Sequence, residues 1–73
     1  MEYKLSYIQA LLSEQNYLEF DRVLTEMLKA IDSGEKIEII DSEGKVSSLI
    51  TSWDELEYFK KIMIQIYGIY GYF

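Results

Sequence analysis

The sequence predicts a small α+β fold in which helices pack on a short antiparallel sheet, in the order helix, helix, β-hairpin, helix. Three observations lead there. Apolar residues recur at helical spacing before Gly34 and again after Ser52. Between these stretches, two isoleucine- and valine-bearing runs flank the polar segment Asp41-Ser42-Glu43-Gly44. A chain of 73 residues has room for one core only, so residues 1–73 are expected to form a single domain.

The first segment, Glu2 to Leu12, carries Leu5, Ile8, Leu11 and Leu12 at helical spacing, against an alternation of Tyr3, Leu5 and Tyr7 that suits a strand; a short helix is the expectation. Asn16 followed three residues later by Glu19 has the spacing of a capping box. The stripe Phe20, Val23, Leu24, Met27, Leu28, Ile31 then keeps helical period until Gly34 stops it. From Lys36 the pattern changes. Ile37, Ile39 and Ile40, then the polar turn, then Val46, Leu49 and Ile50 read as a hairpin forming a two-stranded sheet. Thr51 and Ser52 are placed to cap a last helix, with Asp54 and Glu55 in its first turn, where free N–H groups favour negative charge. Trp53, Leu56, Phe59, Ile62, Met63 and Ile66 give that helix an apolar side until Gly68, after which Ile69-Tyr70-Gly71-Tyr72-Phe73 remains as an aromatic tail, a short strand or a last turn.

The chemistry open to this chain is narrow. It has neither histidine nor cysteine, which removes the common general base, the thiol nucleophile, disulfides and most transition-metal sites. Carboxylate pairs such as Asp54 with Glu57 or Glu35 with Glu38 exist, but glycoside hydrolysis also needs a cleft that so short a chain hardly encloses. Asp41-Ser42-Glu43-Gly44 lacks the remaining ligands of a calcium loop, and the isolated glycines form no phosphate-binding loop. No catalytic residue, metal or cofactor is therefore expected. Proline is absent and no glycine- or serine-rich stretch marks a linker. The longest nearly apolar stretch, Ile62 to Phe73, is twelve residues and too short for a bilayer; Met1 to Lys4 holds one acid and one base and opens no cationic leader with an apolar stretch behind it, so a cytoplasmic location is expected.

Charge is the more informative property. The net charge is −6, and it is unevenly placed: residues 1–31 hold five acids and three bases, 32–57 eight acids and two bases, 58–73 two bases and no acid. A direct nucleic-acid or membrane contact needs a basic surface, so neither partner is expected. An acidic surface instead attracts a basic protein, and large basic surfaces belong chiefly to proteins that handle nucleic acid. The sharpest expectation is a phosphate mimic, an inhibitor whose Glu35, Glu38, Asp41 and Glu43, with Asp54 and Glu57, occupy a nucleic-acid-binding groove. Against it, a negative charge also serves plain solubility. Glu19, Arg22, Glu26 and Lys29 alternate in sign along one helical face, as an ordinary solvent surface does, which confines any mimicry to residues 32–57.

The tail carries the alternative. Tyr58, Tyr67, Tyr70 and Tyr72 crowd the last sixteen positions with Phe59 and Phe73, and tyrosine suits surfaces that are apolar in body and polar at the tip. Leu56, Phe59, Met63, Ile66 and Tyr70 can form one buried stripe, leaving Tyr67, Tyr70, Tyr72 and Phe73 as a contact patch for a homodimer or another protein. In size, acidity and lack of catalytic residues the chain is similar to the small inhibitors that phages and mobile elements encode against nucleases, a similarity of composition with no shared motif. The expected function is that of a non-enzymatic, protein-binding regulator.

Overall fold

The computed structural model describes residues 1–67 and contains six elements: β1 (Glu2–Lys4), α1 (Leu5–Ser13), α2 (Tyr17–Asp32), β2 (Ile37–Ile40), β3 (Val46–Ile50) and α3 (Trp53–Tyr67). The α+β class and the succession helix, helix, hairpin, helix stand. The helix expected from Glu2 begins only at Leu5, and the sheet is three-stranded and mixed where a two-stranded antiparallel one is expected. β1 lies parallel to β2, with Glu2, Tyr3 and Lys4 opposite Glu38, Ile39 and Ile40. Two exposed charged residues flanking a half-buried tyrosine suit a strand covered on one face, and pairing occupies edge groups of β2 that a helix over these residues would leave to solvent. The Met1 carbonyl accepts from the Glu38 N–H at 2.9 Å, which extends the pairing by one residue.

The hairpin forms as the residues dictate. One carboxylate oxygen of Asp41 accepts from the N–H groups of Glu43 (2.9 Å) and Lys45 (3.0 Å), and Gly44 takes a φ of 80°, a region costly to other residues. Ile37, Glu38 and Ile39 of β2 face Ile50, Leu49 and Ser48 of β3, but Ile40 faces Val46, so Ser47 is the extra residue of a bulge. Its hydroxyl donates to the Ile39 carbonyl at 3.2 Å.

Alternation sorts the sheet into two faces. Tyr3, Ile37, Ile39 and Ile50 point toward the helices, while Glu2, Lys4, Glu38, Ile40, Val46 and Leu49 lie on the other side. The covered face joins Ile8 and Leu12 of α1, Phe20, Val23 and Met27 of α2, and Leu56 and Phe59 of α3 in one core. Each fully buried isoleucine there contributes about 2 kcal/mol relative to an exposed one. No described polar side chain is buried, so the core carries no desolvated charge to compensate.

The helix ends repeat one device. After α1, the N–H of Gln15 donates to the Leu12 carbonyl and that of Asn16 to the Leu11 carbonyl. After α2, Gly34 donates to Ile31 and Glu35 to Ala30. Both are Schellman turns, and the left-handed position is Gln15 (φ 59°) in the first and Gly34 (φ 85°) in the second. The Asn16 side chain then caps α2 by accepting from the Glu19 N–H at 3.4 Å. The expected reciprocal bond is not made: the Asn16 N–H is already given to Leu11, and the Glu19 carboxylate pairs with Arg22, which also holds Glu26. That guanidinium lowers the pKa of Glu19.

Candidate protein-binding surface

The register of the hairpin decides where the predicted acids stand. Ile37 faces Ile50, so the segment before β2 and the start of α3 share one end of the sheet, and the Asp41–Gly44 turn forms the other. Three residue steps of β2 separate the ends by about 10 Å. Glu35, Asp54 and Glu57 belong to the first end, Asp41 and Glu43 to the second, and Glu38 stands between them on the uncovered face, opposite Glu2 and Leu49. The acids of residues 32–57 are therefore distributed over two ends and one face. Both acids of the second end also have local work: Asp41 holds the turn, and Glu43 stands 3.7 Å from Lys45 in an exposed pair.

The first end is the more elaborate. α3 begins with a reciprocal cap in which the Ser52 hydroxyl oxygen accepts from the Glu55 N–H at 3.2 Å. Glu55 Oε1 accepts from the N–H (2.9 Å) and hydroxyl (2.7 Å) of Thr51. These donors hold the Glu55 carboxyl below the usual carboxylate range, the Thr51 hydroxyl contributing most. Trp53 is 54% exposed, and its indole N–H donates to Asp32 Oδ1, at the end of α2, at 3.0 Å. Glu57 follows Trp53 by four residues and so lies on the same side of α3, whereas Asp54, one residue on, is turned roughly 100° toward β3. Glu35 stands just past the end of α2 that supplies Asp32; on the β1 side the amino terminus donates to the Lys36 backbone carbonyl at 3.1 Å, and on α3 Lys60 lines the same hollows as Glu57. An exposed, oriented indole among carboxylates is the result.

Neither Trp53 nor Asp32 stands out as a contact residue in the sequence, where Trp53 reads as part of the apolar side of the last helix. The available signal is its spacing of four residues from the charged Glu57, which puts both on one side of the helix. The apolar side itself is also rotated from expectation. Ile66 is 60% exposed while Ile64 is buried, because α3 leans on α1 and α2. Tyr67 belongs to that packing: its hydroxyl accepts from Gln9 Nε2 at 2.9 Å, and it is half-buried. Tyr70, Tyr72 and Phe73 lie outside the described residues.

A second surface feature runs along the other side of α3. Between it and β3 lies a groove of about 410 Å³, floored by Ile50, Phe59, Ile62 and Met63, with Tyr58 at the rim and Asp54 at one end. Among the described residues no group of acidic side chains is placed to hold a metal ion, and no helix is long and apolar enough to cross a membrane. No protein-family model matches the chain, and neither curated proteins nor solved structures give a match.

Proposed function

We propose that this chain is a small, non-enzymatic, cytoplasmic regulator that binds a basic surface of another protein through the end where α2 stops and α3 starts. The reading rests on one observation, the half-exposed Trp53 ring held by Asp32 with Asp54, Glu57 and Glu35 at the same end. Tryptophan is enriched among the few residues that dominate binding energy, and its face attracts arginine. An arginine stacked on Trp53 has Glu57, one helical turn along the same side of α3, for its guanidinium edge, where charge-assisted bonds form. The most specific form of the reading is inhibition of a nucleic-acid-handling protein, whose phosphate-binding arginines are of this kind. Direct contact with nucleic acid or an anionic membrane is not part of it, since the surface has the wrong sign.

Trp53 is the only tryptophan and so reports on its own surface. Its emission is titrated with an oligo-arginine peptide, an oligo-lysine peptide and a neutral glycine-serine peptide of equal length. The expected result is a shift with oligo-arginine, smaller with oligo-lysine and absent with the neutral peptide. It weakens with added salt and falls at least about tenfold in affinity in Glu57→Lys. No shift with either cationic peptide, or one indifferent to salt and to Glu57→Lys, rules the reading out.

A further inference from the structure

The two edges of the sheet are unequally protected. β1 exposes Glu2 and Lys4, charges of the kind that discourage strand addition. β3 contains no charged residue and no proline, and among the described residues no strand pairs with its outer edge. Beside it the structure leaves apolar groups in the open: Leu49 is 48% and Tyr58 68% exposed, on either side of the edge, and the β3–α3 groove lies between them. A hairpin edge with these properties is a template for another strand.

The charges at the ends of β3 choose the occupant. Lys45, whose exposed contact with Glu43 is a long 3.7 Å, precedes the strand, and Asp54, with no cationic partner among the described residues, follows it at the start of α3. The complement is a strand that is uncharged in its middle, basic at its first end and acidic at its last, running antiparallel. β3 of a second copy has that pattern. We propose that β3 pairs with β3 of a second copy about a two-fold axis at Leu49, forming a six-stranded sheet with all helices on one face. In this register Leu49 meets the partner's Leu49 on the uncovered face, and Ser48 lies opposite the partner's Ile50. Lys45 comes level with the start of the other α3, near the partner's Asp54. Tyr58 and Ile62 then line the seam between the two α3 helices. An isologous contact of this kind closes at two copies. It uses a different surface from the aromatic tail and goes beyond the cation-binding reading, on which it does not depend.

Sedimentation equilibrium of the purified full chain tests it without any partner. The expected result is a reversible dimer whose dissociation constant rises at least about tenfold in Leu49→Lys and again in Tyr58→Lys, each with an unchanged circular-dichroism spectrum. Lys45→Asp weakens the dimer, and the double variant Lys45→Asp with Asp54→Lys recovers it, which a loss of folding would not. A wild-type chain that stays monomeric into the millimolar range overturns the proposal. So does a dimer that survives both lysine variants, or one broken by Leu49→Lys but untouched by Tyr58→Lys, which would lie on the open sheet face.

Discussion

β2 has two neighbours that reach it in opposite ways. β3 returns after a turn over residues 41–45 and pairs antiparallel, whereas β1 is separated from it by residues 5–36 and pairs parallel. The first arrangement is written in local chemistry: an aspartate whose side chain closes the turn, a glycine at positive φ, and a bulge residue bonded back to β2. The second has no local device, because a parallel neighbour is brought back by the whole α1–α2 crossover. Tyr3 packed against the core and two flanking backbone pairs hold it. The difference teaches that one strand of this sheet depends on its turn and the other on the core.

Substitutions can part these two dependences. The largest effect is expected from Ile39→Ala, since this fully buried residue faces Tyr3 on one side and Ser48 on the other. A loss of about 3 kcal/mol by urea unfolding, with both flanks loosened, is the expected outcome. Tyr3→Ala should cost about 2 kcal/mol and act on one flank alone: amide exchange quickens at Glu38, whose N–H is given to Met1, while the Asp41–Lys45 turn keeps its protection. Gly44→Ala reverses that pattern at about 1 kcal/mol, because alanine resists the φ of 80° although space for its methyl group is open. Equal exchange changes on both sides in these two variants would break the comparison.

The smallest effect concerns the cap that follows β3. Glu55 has a lowered pKa in the folded chain, so its contribution is fully present above the ordinary carboxylate range and is lost as pH falls through the folded value. Glu55→Gln should melt below the wild type at neutral pH, and the gap between the two melting curves should close as the solution is acidified. A gap that stays constant with pH would assign the stabilisation to shape and not to charge.

This contrast also explains what the sequence discloses. The hairpin, the α2 stripe ending at Gly34 and the start of α3 at Ser52 are legible because each is fixed by residues within a few positions of one another. β1 is illegible as a strand since three residues cannot establish a period, and Tyr3, Leu5 and Tyr7 overlap the helical spacing of Leu5, Ile8 and Leu12. The exchange of Ile66 for Ile64 on the buried side of α3 follows from how that helix leans on α1 and α2, which its own pattern does not encode. The acids were countable in the sequence, but their division between the two ends of the sheet depends on the pairing of Ile37 with Ile50. The Trp53 contact joins residues 21 positions apart and leaves no local trace.

Asn16 closes the turn that ends α1 with its N–H and opens α2 with its side chain. One residue thus belongs to two helix termini, and no spare peptide lies between them to act as a joint. Mechanically, α1 and α2 form an elbow cast in one piece. β1 runs straight into α1, so this corner links the edge strand to the helix whose far end carries Asp32 and the Trp53 contact.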